Sequence, residues 1–208
     1  MKNYEYIVAS LPDITAGWKF GEKGPDDYIE EIVSLCSEKD KELIGFFMSG
    51  YLEENLNADF YAKALTHQDK FIREYFRFDL NVRNAKVKYL NKALGRELGK
   101  DVLAFAEDAD QAVLDAIAEE FEEAADLETI LNAGDILSRE RGIDDLMWEK
   151  IDNLTTFNYF DIDAILGFIT KLNIVARWYR LDEQTGREMF KKLVDEVRGT
   201  FKGVEYNG

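Results

Sequence analysis

"FDLNVRNAKVKYLNKALG", residues 78–95, decides how the rest of the chain is read. Asp79 lies near its start, Gly95 closes it, and Arg83, Lys86, Lys88 and Lys92 stand between them among three asparagines. An aspartate at a helix start accepts backbone N–H bonds that have no partner inside the helix, and a glycine just past the end supplies the left-handed residue that stops it. The stretch therefore predicts a helix with its own start and stop. It also carries more cations than a core helix requires, which gives it a second reading as a contact surface.

Outward from this helix, the chain looks helical throughout. Its only prolines, Pro12 and Pro25, precede residue 26, so the remainder lacks the residue that breaks helices most strongly. Pro25 and Asp26 mark a helix start after an irregular, glycine-rich connector at 10–27. Apolar spacing then predicts a helix through Ile29, Ile32, Val33 and Leu35, and a second through Leu43, Ile44, Phe47 and Leu52, separated near Ser37. A third runs from about Asp59 through Phe76, and the quoted stretch is the fourth. Beyond it come an acidic helix through Val113, Leu114, Ile117 and Phe121, and one from Leu127 to Leu137, weakened at Gly134 and ended by Gly142. The last three are expected near 143–154, over 161–179 and over 182–198. The expectation is an all-α, bundle-like protein of about nine helices, folded as one domain over 1–208 or as two lobes, 1–100 and 101–208. Residues 4–9, "YEYIVA", fit a short strand or a first helical turn equally well.

Charge narrows the partners. The net charge of −16 disfavours a sequence-independent grip on nucleic acid or anionic lipid, which relies on Lys and Arg. Residues 101–138 hold twelve acidic residues and no Lys or Arg, whereas 63–100 hold ten basic and four acidic ones. The two segments can neutralise each other, with Arg83, Lys86 and Lys88 as the cations, or steer a charged partner into register. One cysteine, Cys36, cannot form an internal disulfide, and the Met1 start lacks a secretory pattern, so a reducing cytoplasm is expected. The most apolar window, 162–176, is too short to span a bilayer and holds Asp163, Lys171 and Asn173.

The chemical inventory is thin. His67 is the only histidine, which removes a His-rich zinc centre, and "GWKFGEKG" at 17–24 lacks the spacing of a phosphate-binding loop. Glu119, Glu122 and Glu123 fall on one face if 119–126 is helical, and with Asp126 they form the best candidate for a carboxylate-dependent hydrolase binding a divalent metal. The acidic 101–138 face also allows a nucleic-acid mimic that binds a basic protein. The pairs Asp144/Asp145 and Asp161/Asp163 read as helix caps ahead of catalytic pairs. Trp18, Trp148, Trp178 and Tyr179 read as core residues ahead of interface ones. No cofactor, metal site or catalytic residue is expected.

Two segments carry a resemblance. "YEYIVASLPDI" at 4–14 and "FDLNVRNAKVKYLNKALGREL" at 78–98, with Asp79, Asn84, Lys86 and Lys88, resemble a bacterial family encoded beside V-type (A-type) ATPase genes and similar to the C subunit of that ATPase, called d in eukaryotes. The resemblance implies an α-helical, non-catalytic subunit or accessory protein that acts through contacts with other ATPase subunits and lies peripheral to the membrane through that complex. It implies no nucleotide. Asp79, Arg83, Asn84, Lys86, Lys88 and Lys92 become its candidate partner-binding residues.

Overall fold

A computed structural model describes residues 3–180, and the helix expected over 182–198 lies outside them. Nine α-helices and no strand occur among the described residues. They are α1 (Tyr4–Ser10), α2 (Pro25–Leu35), α3 (Glu38–Ser49), α4 (Ala58–Leu65), α5 (Lys70–Ala93), α6 (Gln111–Ala118), α7 (Ala124–Leu131), α8 (Ile136–Thr155) and α9 (Ile162–Arg180).

The open question at 4–9 resolves as helix α1, because Tyr4 and Ile7, three residues apart, are both buried on one face. Tyr4 also donates to Asp40 of α3 at 2.7 Å. Pro25 opens α2, with the Asp27 carboxylate accepting from Gly24 N–H at 2.7 Å. At the far end of α5, Gly95 has φ +63°, Arg96 N–H reaches Asn91 C=O at 2.8 Å, and Gly95 N–H reaches Lys92 C=O at 3.3 Å. These two bonds and the left-handed residue close the helix as its sequence predicts.

Its beginning is different. The helix expected from Asp59 through Phe76 breaks at Thr66–Asp69, where the Asp69 carboxylate accepts from Ile72 N–H at 3.1 Å and starts α5. From there α5 runs unbroken to Ala93, so Asp79 is an interior residue and not a cap. His67 sits in the break. Its Nδ1 accepts from Asp69 N–H at 3.0 Å and its ring stacks on Phe46, which makes it a structural residue whose pKa burial lowers.

Three further boundaries depart from expectation, the first a break over Asn132–Asp135 that divides the helix expected from Leu127 to Leu137 between α7 and α8. Residues 119–123 form a turn between α6 and α7, which removes the helical face proposed for Glu119, Glu122 and Glu123. Gly142 ends nothing: it lies inside α8, where an added Cβ would stand 2.8 Å from Ile130 of α7. The glycine serves close helix packing there.

Buried side chains form two clusters, and α5 contributes to both. Phe71, Ile72, Tyr75 and Phe76 pack with Phe47 of α3, Phe60 and Tyr61 of α4, and Ile165, Leu166 and Ile169 of α9. The rings are dense: Phe60–Phe76 lie 4.9 Å apart, and Phe47–Tyr75 and Tyr75–Phe76 both 5.0 Å. Burying each such ring contributes about 1.5–3 kcal/mol, and aromatic pairing adds to it. A smaller cluster joins Phe78 and Val82 of α5 to Leu127 and Leu131 of α7 and to Ile143 and Leu146 of α8. None of Trp18, Trp148, Trp178 and Tyr179 belongs to either. Trp18, Trp148 and Trp178 are half-buried and Tyr179 is exposed.

Gly50 sits against the larger cluster, where a Cβ would fall into the Phe76 ring and 2.8 Å from Phe60. Gly50→Ala is expected to cost about 1–3 kcal/mol in urea unfolding. Gly142→Ala, whose Cβ meets the side chain of Ile130 alone, should cost less.

Candidate interaction site

The candidate partner residues all lie on α5, and the structure sorts them into two groups. Asp79 is buried and receives the Tyr61 hydroxyl at 2.5 Å and Arg83 Nε at 2.7 Å. Burial, with the Asp79 charge beside it, holds the Tyr61 hydroxyl protonated far above its ordinary range. Asn84 clamps the segment after α5: its amide donates to Leu103 C=O and accepts from Leu103 N–H, both at 2.9 Å. Lys86 reaches Glu140 of α8 at 2.8 Å. These four have partners inside the chain.

Lys88 and Lys92 do not. Both are exposed, and neither forms an ion pair with a described residue. They edge a groove of about 510 Å³ between α5 and α7, floored by Ala85, Tyr89, Phe121, Leu127 and Leu131. Leu98, which also lines it, is more than half exposed. The α5–α7 face therefore combines unpaired cations with uncovered apolar surface. The sequence did not single out this groove, because its walls come from positions about 35 residues apart and show no spacing pattern along the chain. A second exposed apolar feature is the α8–α9 loop, where Phe157, Tyr159 and Phe160 project while Asn158 is tied to Asp161 at 2.6 Å.

Charge neutralisation runs along other lines than expected. Arg83 pairs with Asp79 on its own helix, and Lys86 with Glu140 just past the acidic segment. Arg77 and Lys150 are the residues that neutralise 101–138, through Glu119 and through Glu123 at 2.7 Å. Asp110 and Asp135 of the same segment cap α6 and α8. Four of its carboxylates thus serve the fold.

A small cleft of about 220 Å³ lies on the other flank of α5, where Tyr51, Tyr75, Asp79 and Thr170 meet. Tyr51 donates to Thr170 at 3.2 Å, and burial pushes its pKa up to about 12 and that of Tyr75 well above the usual value. Neither phenol is a base near neutrality. Asp144 at the rim is paired with Arg177 and the Trp178 indole, with burial raising its pKa. Cys36 is buried at the end of α2 with its pKa raised by burial, the opposite of an activated thiol. No group of three or more His, Cys, Asp or Glu among the described residues is placed to hold a metal ion, and no described helix is long and apolar enough to cross a membrane.

Asp161 caps α9 through Ala164 N–H at 3.1 Å, as its position suggests. Asp163 beside it has its pKa raised to about 6, by burial first and then by the Asp69 and Asp161 charges.

The described residues thus make an all-helical protein with an apolar, lysine-edged groove between α5 and α7. The chain matches one protein family over residues 49–200, described as a protein of unknown function (DUF2764), and it belongs to that family. No curated protein and no solved structure matches it.

Two measurements check this sorting. Removing the Asp79 carboxylate as Ala leaves a buried hydroxyl unpaired and is expected to cost about 3 kcal/mol. A double-mutant cycle of Asp79→Asn with Tyr61→Phe should show coupling of about 1 kcal/mol or more. For Asp163, a folded pKa raised above the unfolded 3.8 means ionisation costs stability, a cost that grows as pH rises from 3.8 through about 6. Asp163→Asn should stabilise the chain at pH 7.5 by on the order of 1 kcal/mol after solvent screening, with the gain gone below pH 4.

Proposed function

We propose that this chain is a non-catalytic subunit or accessory protein of a V-type (A-type) ATPase, acting through contacts with other subunits of that complex. The reading rests on the resemblance of residues 4–14 and 78–98 to the family encoded beside those ATPase genes. The observation that carries it is the outer end of α5, where Lys88 and Lys92 lack internal partners and Leu90, Leu94 and Leu98 are uncovered. A helix face of that kind is what a protein contact requires, since burying exposed leucine favours association and unpaired cations orient it. Asp79, Arg83 and Asn84 serve this role indirectly by fixing α5 and the segment beside it. Lys88 and Lys92 make the contact.

The chemistry present agrees with a binding role. The phenols are held protonated, the thiol is buried, and the most acidic turn is tied down by Arg77 and Lys150. The test is affinity purification of the tagged full-length chain from its native host under mild detergent. ATPase subunits are expected to co-purify in fixed proportion and to be lost at high salt. Repeated purification free of every ATPase subunit would sink the reading.

A further inference from the structure

The geometry points to the α5–α7 groove as a receptor for one amphipathic helix of a partner protein, acidic along one edge and basic along the other. The inference rests on the partner reading above in taking the occupant to be a protein. The groove borders residues 85–93 of α5, a rise of about 12 Å, which fits roughly two turns of helix. Its floor is made by side chains of Ala85, Tyr89, Leu127 and Leu131, so an occupant must present an apolar stripe at helical spacing.

The walls set the charges. Lys88 and Lys92 stand one turn apart on the α5 side. The α7 side carries Glu128. A helix lying between them meets cations on one flank and a carboxylate on the other. An occupant acidic on both edges is repelled by the α7 wall, and one basic on both edges by the α5 wall. Only the two-signed helix satisfies both. The chain as a whole carries −16, so the lysine wall is a local reversal of its charge and supplies the discrimination.

The probes are three fluorescein-labelled, alanine-based helical peptides with identical leucine stripes, one with an acidic and a basic edge, one with two acidic edges and one with two basic edges. Exchanging the two edges is no control, because a helix can enter the groove in either direction. Titrated against the full-length chain at low salt, the two-signed peptide is expected to bind about ten-fold tighter than either other. In Lys88→Glu/Lys92→Glu both walls are acidic, so the doubly basic peptide should become the tightest binder while the Tm stays unchanged. Absence of binding by all three, equal binding, or a ranking untouched by the charge reversal overturns the proposal.

A photo-crosslinking residue at position 124 tests what fills the groove in the free protein. Capture of residues 181–208 of the same chain, or of a second copy, overturns assignment to a partner protein. Two combinations separate this inference from the ATPase reading. Selective peptide binding without ATPase co-purification upholds the groove and removes the complex. Co-purification undiminished by Lys88→Glu/Lys92→Glu upholds the complex and removes the groove as its contact.

Discussion

A carboxylate in the middle of a long helix organises this molecule. Asp79 would be an expensive interior residue if it stood alone, because a charge removed from water is tolerated only when paired and hydrogen-bonded. It is both. Tyr61 brings a donor from α4 and Arg83 brings a cation from the next turn of α5. The three groups pin α4 to α5 near the point where α5 leaves the large aromatic cluster and enters the smaller one. Residues 71–76 with Leu80 build the larger core, Phe78 and Val82 build the smaller one, and a short directional interaction sits where the two interleave. Aromatic packing alone is less directional.

That arrangement explains why the same helix can be core at one end and surface at the other. Over 71–82, α5 is covered by α3, α4, α8 and α9. From Lys86 onward it has α7, a clamped segment and the first turns of α8 beside it, and more of its surface is open to solvent. The cations follow the same gradient. Arg77 and Arg83 are used within the fold, Lys86 bridges to α8, and Lys88 and Lys92 face outward. Availability for a contact therefore grows along the helix, and the apolar groove lies where that availability is greatest.

Helices that announce themselves by local rules were legible in the sequence. Pro25, the apolar spacing through α2 and α3, and Gly95 all act within a few residues of their own position, and the boundaries they mark are where the structure has them, except that α3 ends at Ser49, short of Leu52. Two of the misplaced boundaries, at Asp79 and at Gly142, depended on distant partners. Asp69 and Asp79 both precede an apolar run and both look like caps, and only the Tyr61 hydroxyl, from another helix, shows that Asp79 is interior. Gly142 reads locally as a stop, but the Ile130 side chain from α7 accounts for it. For the contact surface, the sequence pointed to α5. It could not separate Lys88 and Lys92 from Arg83 and Lys86, since that distinction is set by carboxylates brought near through tertiary folding.

The asparagines of α5 carry one more consequence. Asn84 holds Leu103 through both its amide atoms, and Asn91 donates to Leu98 C=O at 3.3 Å and Lys100 C=O at 2.6 Å. The stretch from 96 to 103 has no regular helix, yet it is fastened to α5 at measured intervals, like a cable in clips. A lengthened loop there would slip every clip at once, whereas added residues between 106 and 109, past the Phe105 side chain packed on the larger core, would lengthen only the approach to α6. Length variation among descendants of this chain has one harmless place to accumulate in this region, downstream of the last asparagine contact.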